Sequence, residues 1–193
     1  MIAETAQPFP AAAKVAKAGS MRWSKDEFEA VFLEHYPRVA GVLMRLLGDR
    51  TRAEELANDV FWKLYHTPPA GGVDGRVGGW LYRTASHLGI DALRAAARRR
   101  KYEDASSRSP AGAVRTPLDD LVRAEQCRKV RTVLAALKPA QAQLLILRAG
   151  GLSYKELSEV LEVNPAGIGT MLCRAQAEFR RVYLELHGAE EEL

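Results

Sequence analysis

The chain has 193 residues, of which 47% are hydrophobic, 27% charged and 7% aromatic, and its formal net charge is +4. This composition excludes collagen-like, silk-like and fully disordered chains, and the length allows one domain or two small helical ones but no large catalytic barrel. The longest stretch without a charged side chain, residues 163–173, is far shorter than the ~20 apolar residues that span a bilayer, so we expect no membrane insertion.

The first helix is predicted to begin directly after an N-terminal tail. Residues 1–24 offer little surface to bury, which predicts a disordered tail. At its end Ser24 and Glu27 have the capping-box spacing, in which the hydroxyl and the carboxylate each satisfy a backbone amide at a helix start. Apolar residues then recur at three- and four-residue intervals, which predicts a helix with a break or kink at Pro37 and an end at Gly48.

Two more helical segments and a loop complete the predicted first domain. Thr51 and Glu54 repeat the capping-box spacing, so a helix is predicted to begin there and to end before Pro68. Residues 66–79 contain five glycines and two prolines, which predicts a loop. A further helix from about residue 77 or 79 to residue 100 has one apolar face, so residues 25–101 are predicted to form a helical bundle.

A linker and a second helical domain are predicted to follow. Residues 102–120 are rich in serine and proline, which is typical of a flexible, exposed linker. A helix is predicted from about residue 117 or 118 to 137, and Pro139 opens another that ends at the glycines that follow. The second domain is predicted over residues 121–187, with an acidic tail at residues 188–193.

The second domain contains the pattern of a helix-turn-helix. Ser153 and Glu156 form a third capping box, the short helix after them ends near Leu161, and Asn164 with Pro165 supplies the cap and first-turn proline of the next helix. That helix would carry small and polar residues on the face away from the core: Ala166, Gly167, Thr170, Cys173 and Arg174. In a helix-turn-helix the second helix enters the major groove of DNA.

Basic charge is concentrated in two zones of the sequence. Residues 94–101 contain five basic side chains and no acidic one, whereas residues 26–93 are net acidic and residues 121–187 are net basic again. Such zones suit a surface that lies along a polyanion, because each neutralised phosphate releases counterions. For a single arginine run, a solvated helix end is an equally good explanation.

Three motifs that occur in this order resemble those of bacterial sigma factors of the extracytoplasmic-function (ECF) type. They are AEELANDVF at residues 53–61, WLYRTASH at residues 80–87 with Asp91 and Arg94 after it, and LSYKELS at residues 152–158. The resemblance covers about residues 25–187. It implies an all-α protein that binds core RNA polymerase and directs promoter recognition and melting, without catalysis of its own.

The resemblance also assigns a role to each domain. Residues 25–101 correspond to sigma region 2, which binds the polymerase and the minus-ten element. Residues 121–187 correspond to sigma region 4, whose helix-turn-helix binds the minus-thirty-five element.

The resemblance places the polymerase contact on the helix of residues 53–64, which in the family packs against the clamp coiled coil of the β′ subunit. The implied contacts are Glu54, Glu55, Asn58, Asp59 and Phe61. Carboxylates and an amide on one helical face suit a basic partner, whereas Phe61 fits a core position at least as well. Asn58 stands where family members usually have glutamine.

The resemblance places minus-ten DNA on the glycine-rich loop and the helix that follows it. An opened duplex needs a place for an unstacked base, and a loop beside aromatic and basic side chains supplies one. The implied contacts are Trp80, Tyr82, Arg83, His87, Arg94, Arg98, Arg99 and Arg100. Trp80 is also a candidate for a buried anchor of the bundle, and His87 stands where the family commonly has asparagine. His87 and Asp91, one turn apart, are better explained as a surface pair than as metal ligands.

Minus-thirty-five DNA is assigned by the resemblance to the helix-turn-helix. The implied contacts are Ser153, Tyr154, Lys155, Ala166, Gly167, Gly169, Thr170 and Arg174. The family often has lysine or arginine interleaved with serine where this chain has Gly169, Thr170 and Met171, so the long donors that read guanine edges are missing. Readout of DNA shape is therefore favoured over direct readout of bases.

Two other functions fit the sequence less well. A stand-alone helix-turn-helix regulator acting as a dimer would need a recognition helix richer in base-reading side chains. A helical-bundle enzyme would need a cluster of acids, bases or metal ligands, and the four histidines share no ligand spacing. We therefore expect no enzymatic activity, no cofactor and no metal.

The expected partners follow from the resemblance. They are core RNA polymerase, through its β and β′ subunits, promoter DNA, and an anti-sigma protein that competes with the polymerase for the face of residues 54–61. The protein is expected to be a monomer when free of partners. No secretory signal is readable, and Cys127 and Cys173 have no metal or redox spacing, so we expect a cytoplasmic protein.

Overall fold

The computed structural model describes residues 23–69, 77–104 and 118–188. Parts of the predicted tails, glycine-rich loop and linker, namely residues 1–22, 70–76, 105–117 and 189–193, lie outside these ranges. Every regular element in the described part is helical: α1 Lys25–Leu47, α2 Arg50–His66, α3 Val77–Asp104, α4 Leu118–Ala136, α5 Pro139–Ala149, α6 Tyr154–Leu161, a 3-10 turn Pro165–Gly167 and α7 Ile168–His187. The all-α class is thereby confirmed.

The predicted first helix begins and ends where its local signals stand. The amide of Glu27 donates to the Ser24 hydroxyl at 3.2 Å, and the amide of Ser24 donates to the Glu27 carboxylate at 2.9 Å, which completes the capping box. Gly48 ends α1 in the left-handed region with φ 68°, a conformation that glycine adopts without strain.

Two local predictions are corrected. α2 begins at Arg50, and its cap is Asp49, whose carboxylate accepts the amide of Arg52 at 3.1 Å. Glu54 instead pairs with Arg50 at 2.8 Å, so the predicted capping box of Thr51 and Glu54 is absent. Helix α1 also runs without a break across Pro37. A proline removes one backbone donor, and the buried apolar residues on both sides of Pro37 hold the helix against its neighbours across that gap.

The first bundle consists of α1, α2 and α3, each of which packs against the other two. An aromatic cluster fills one end, where Phe28, Phe32 and Tyr36 of α1 surround Phe61 of α2 with ring centroids 4.8–6.5 Å apart. Trp23 joins this end of the bundle, because its indole donates to the carbonyl of Leu64 at 3.1 Å.

The predicted helix-turn-helix is present in the second half of the protein, by which we mean helices α4–α7. The Ser153 and Glu156 capping box opens α6, with the two bonds at 2.7 and 3.2 Å. After α6 the chain turns at Glu162, which adopts the left-handed region with φ 56°. The Asn164 side chain then accepts the amide of Ala166 at 2.9 Å, which caps the 3-10 turn that leads into α7.

The first half, helices α1–α3, and the second half pack closely against each other in this structure. One apolar cluster joins α1, α2 and α3 residues such as Leu43 and Leu81 to Leu147 and Leu157 of the second half. A second cluster joins Leu46, Ile90 and Leu93 to residues of the second half: Val133 of α4, Leu137 directly after α4, Ile146 of α5 and Val182 of α7. The seam between the halves runs along α3, which contacts α4, α5 and α6.

Candidate polymerase and DNA surfaces

The predicted polymerase face on α2 is exposed except at one residue. Glu55, Asn58 and Asp59 are exposed and Glu54 is half-buried, and their spacing of three or four residues places them on adjacent turns. Phe61 is only 2% exposed and packs in the aromatic cluster, so its side chain belongs to the core of the bundle. The structure therefore brings four of the five predicted side chains to the surface.

The carboxylates on this face differ in their ion pairs. Glu54 pairs with Arg50 and Glu55 pairs with Arg52, each at 2.8 Å within the same helix. Asp59 has no ion pair with any residue that the structure describes. Asp59 is therefore the carboxylate of this face whose charge remains uncompensated within the described part.

Two exposed aromatic residues extend the same face, and sequence reasoning missed them. Trp62 is 67% exposed and Tyr65 is 51% exposed, and the Trp62 ring lies 4.0 Å from that of His66. Trp62 follows Asn58 by one helical turn, so the aromatic surface continues the polar one. The signal was the run of residues 61–66, FWKLYH, whose aromatic residues are too many for one buried face.

The aromatic residues predicted to meet minus-ten DNA are largely buried. Tyr82 is 6% exposed and belongs to the apolar cluster, and Trp80 is half-buried against that cluster. Burial raises the pKa of the Tyr82 phenol, an effect that the nearby Arg38 opposes. In this arrangement Tyr82 is not available for stacking on a base.

The cations that α3 was predicted to direct at DNA are bonded to the second half instead. Arg83 donates to the carbonyl of Val160 at 2.6 Å and to the carboxylate of Glu162 at 2.9 Å. Arg94 donates to the carbonyl of Ala135 at 3.3 Å and to that of Leu137. The carbonyls of Val160 and Ala135 lie in the last turns of α6 and α4, where backbone acceptors have no partner within their own helix, and Leu137 follows α4 directly.

Between the two arginines, a buried polar network crosses the seam. The Gln143 amide donates to the Ser86 hydroxyl at 2.8 Å, and that hydroxyl donates to the carbonyl of Tyr82 at 2.7 Å. The other end of the same amide accepts from His87 Nε2 at 3.2 Å when that nitrogen carries the proton. Ser86 and Gln143 are both buried, and His87 thus bonds across the seam rather than to Asp91.

The remaining predicted minus-ten cations are placed differently. Arg98, Arg99 and Arg100 follow one another near the C-terminal end of α3, directly before Lys101. All three arginines are exposed. They are the part of the α3 basic zone that the second half leaves open to a large partner.

The predicted minus-thirty-five surface is open. Ser153, Tyr154 and Lys155 at the start of α6 are exposed, and so are Ala166, Thr170 and Arg174 on and before α7. Gly167 and Gly169 are half-buried. A Cβ added to Gly169 would lie 3.8 Å from the Tyr154 ring, which is ordinary contact distance. The Tyr154 ring also faces the Arg148 guanidinium at 5.4 Å from its centroid, so it is held in place by a cation–π contact.

The described residues offer no metal site and no membrane span. Among them, no group of three or more histidine, cysteine, aspartate or glutamate side chains is arranged to hold a metal ion. Over the same ranges, no helix combines the length and the apolar character that crossing a membrane requires.

Comparisons with known proteins agree with the motifs. The family model of Sigma-70 region 2 matches residues 31–99, and that of Sigma-70 region 4 matches residues 127–177. The ECF RNA polymerase sigma factor SigK of Mycobacterium ulcerans is 30% identical over 156 residues, which cover 74% of this chain and 78% of SigK. This chain belongs to the ECF sigma factors. This ECF sigma factor is also 28% identical to the sigma factor YlaC of Bacillus subtilis over 162 residues, 81% of this chain and 92% of YlaC.

Solved structures of the family share the fold. The sigma factor RpoE of Bartonella quintana, in complex with the anti-sigma factor NepR, matches with a TM-score of 0.50 and 18% identity over 84% of this chain and 99% of RpoE. CnrH, in complex with the cytosolic domain of CnrY, matches with a TM-score of 0.52 and 17% identity over 85% of this chain and 91% of CnrH.

The family decides the function of the chain at the level of its class. As a sigma factor it directs promoter-specific transcription by RNA polymerase, and the alternative of a stand-alone dimeric regulator is not favoured. Sigma factors are generally not enzymes.

Proposed function

We propose that this sigma factor binds core RNA polymerase through the exposed face of α2, holds the opened minus-ten strand along α3, and docks its helix-turn-helix on the minus-thirty-five element. The observation that carries the proposal is the α2 face, on which exposed carboxylates and an amide adjoin exposed aromatic side chains. Charge steers a basic partner to such a face, and aromatic residues supply most of the binding energy once they are desolvated.

Within this face we assign the largest contributions to Asp59 and Trp62. Glu54 and Glu55 are partly neutralised by their own arginines, whereas Asp59 has no such pair in the described part of the chain. Trp62 is the most exposed large aromatic residue there, and burying it against a partner removes more apolar surface from water than any neighbour does. Asn58 is exposed one helical turn before Trp62 on the same face.

The test is retention of the full chain on immobilised core polymerase. Asp59→Arg and Trp62→Ala are each expected to weaken retention about tenfold or more, as hot-spot residues do. Glu29→Arg, which reverses an exposed charge on α1 of the same bundle, serves as the matched control and should bind as the unchanged protein does. Equal retention of all three variants would contradict the assignment of the α2 face.

On the DNA side, the assignment rests on charge and on shape. Arg98, Arg99 and Arg100 are suited to phosphate contacts, and Arg83, His87 and Arg94 add to them once they are released from the seam. On the helix-turn-helix, the first two turns of α7 expose Thr170 and Arg174 as their nitrogen and hydroxyl donors, so shape readout with few base contacts is the proposed mode.

We further propose an anti-sigma partner that competes with polymerase for residues 54–61. Both solved relatives named above are complexes with anti-sigma partners or their domains, which supports such a partner for this chain. Saturating polymerase should then release the inhibitor in a pull-down with both proteins. A stable ternary complex at that face would count against competition. In this proposal the protein acts in the cytoplasm, is a monomer when free, and leaves catalysis to the polymerase.

A further inference from the structure

An apolar recess lies where the first helix meets three helices of the second half. Its walls come from α1, α4, α5 and α7, and its volume is ≈ 320 Å³. Sites for small molecules have volumes of roughly 300–1,000 Å³, so the recess is large enough for a small ligand. Among the described residues, none of those that we assign to polymerase or DNA lines the recess, so neither proposed role accounts for it.

The walls of the recess are almost entirely apolar. Leu46, Leu134 and Ile146 are buried residues that line it. Val130 and Phe179 line it as well, and Val130 is 39% exposed. A ligand that covers these side chains removes apolar surface from water, which favours a ligand with an apolar body.

The polar groups at the recess are cations and an amide. Arg45 and Gln176 are the polar side chains of its wall among the described residues, and no carboxylate lines it there. Arg45 is exposed and has no ion pair with any residue that the structure describes. An unpaired guanidinium on an apolar wall suits an anionic group of a ligand.

A second guanidinium lies at the same end of α1. Arg131 of α4 lies against Gly48, three residues after Arg45, where any Cβ would overlap the guanidinium. The Nε of Arg131 is buried, and it has no hydrogen-bond partner within the described ranges. A buried donor without a partner costs free energy, so this end of the recess favours a ligand with an acceptor group.

We infer that the recess is a binding site for a small amphiphilic acid, whose apolar body lies against Leu134 and Ile146 and whose carboxylate pairs with Arg45. The volume sets the size of the ligand. An apolar cavity of about 150 Å³ holds benzene, so a recess of twice that volume holds about ten to twelve non-hydrogen atoms. The site is independent of the proposed polymerase and DNA contacts.

Sodium decanoate has this size and charge and is the probe. Its binding to the full chain is measured by titration calorimetry below the concentration at which it forms micelles. The midpoint of thermal unfolding is a second measure, because a ligand that binds only the folded chain raises it. We expect saturable binding at one site and a raised midpoint, and absence of both would overturn the inference.

A series of related probes tests the size and charge of the site. Affinity should rise from octanoate to decanoate and then level off at tetradecanoate, because further methylenes stay in water. Uncharged 1-decanol should bind about tenfold more weakly than decanoate, since it cannot form the ion pair. Affinity that keeps rising by roughly fourfold for each methylene would indicate unspecific adsorption and would overturn the site.

Two variants with matched controls locate the site. Ala149→Phe places a ring in the recess from an exposed position, and Ala140→Phe adds the same ring on the same helix outside the recess. Arg45→Gln removes the cation of the wall, and Arg38→Gln removes an exposed cation elsewhere on α1. The thermal midpoint without ligand verifies that each variant is folded.

We expect Ala149→Phe to bind decanoate and 1-decanol at least about tenfold more weakly than Ala140→Phe does, because the ring takes up the space of the ligand. Arg45→Gln should lose about tenfold in affinity for decanoate and keep its affinity for 1-decanol, whereas Arg38→Gln should bind both as the unchanged protein does. Equal decanoate binding by the two phenylalanine variants, or equal losses for decanoate and 1-decanol in Arg45→Gln, would overturn the inference.

Discussion

The two surfaces predicted to bind DNA differ in what they contact within the protein. On α3, the cations Arg83 and Arg94 are bonded to the second half, and Tyr82 is buried. On the helix-turn-helix, Lys155, Thr170 and Arg174 are exposed. The first surface carries many cations and is closed, and the second is poor in long donors and is open. The comparison teaches that the number of basic residues in a segment does not measure how ready it is to bind DNA.

The largest expected effect concerns the open end of the α3 basic zone. Reversing Arg98, Arg99 and Arg100 to glutamate together should weaken promoter-complex formation by an order of magnitude or more. It should also lower the slope of log affinity against log salt by about 0.9 for each phosphate that the protein no longer neutralises. Arg174→Glu on α7 is the comparison variant and should lower the slope by about 0.9, the share of a single phosphate. Salt slopes that stay unchanged in the triple variant would show that this zone does not meet phosphate.

Replacing Arg94 is expected to lower the stability of the protein, because the Arg94 guanidinium is bonded within the molecule. Arg94→Ala removes the bonds to the carbonyls of Ala135 and Leu137 and should lower the free energy of unfolding by about 2 kcal/mol, as hydrogen bonds to charged groups do. Arg174→Ala, at an exposed position, should change it by less than about 0.5 kcal/mol. Urea denaturation of both variants measures the contrast, and equal stabilities would argue against a stabilising role for the seam.

The capping box at the start of α6, on the open helix-turn-helix surface, provides a prediction about stability and its dependence on pH. Ser153→Ala should lower the free energy of unfolding by about 1 kcal/mol, because the amide of Glu156 loses its acceptor. The Ser153 backbone amide, and then its hydroxyl, hold the pKa of Glu156 below its ordinary 4.5. A lowered pKa in the folded state adds stability that is present above about pH 4.5 and is lost as the pH falls through the folded value.

That contribution is checked by denaturation between about pH 3 and 7. Glu156→Gln should flatten the acid limb of stability against pH relative to the unchanged protein. Glu27, whose pKa is lowered by Ser24 in the same way, provides the matching variant Glu27→Gln in the first bundle. An acid limb that neither variant alters would place the titration elsewhere.

The smallest effect on stability is expected at Gly169, where the substitution should raise the free energy of unfolding instead of lowering it. Gly169→Ala should raise the free energy of unfolding by about 0.5–1 kcal/mol, because alanine favours a helix and its Cβ meets Tyr154 only at 3.8 Å. Gly89 of α3 is the contrasting glycine, since a Cβ there would lie 2.6 Å from Leu46 and must displace it. If Gly169 serves close approach to the DNA backbone, Gly169→Ala should bind DNA more weakly despite its higher stability. Stronger binding would remove that role.

Local signals predicted the elements well where the relevant residues are neighbours in sequence. The capping boxes of Ser24 and Ser153, the end of α1 at Gly48 and the helix-turn-helix are all confirmed. The failures were also local in origin. The box expected at Thr51 competed with Asp49 two residues earlier, and of the break or kink expected at Pro37 the break is absent, because the residues packed on both sides of Pro37 hold the helix together.

The site was predictable in part. Glu55, Asn58 and Asp59 lie exposed on one face as their spacing predicts, yet the same spacing could not tell that Phe61 points into the aromatic cluster while Trp62 points out. That distinction depends on where α1 and α3 lie around α2, which periodicity within one helix does not reveal.

By itself the sequence determined the helical class, the caps, the order of the two domains and the family, because these depend on short intervals between neighbouring residues and on short motifs. Only the tertiary structure decided that Arg83 bonds to Glu162, 79 positions away, and that Arg94 bonds to the end of α4. Both are charged groups on a helix surface, and whether such a group faces water, DNA or another domain is set by the packing of apolar faces elsewhere in the chain.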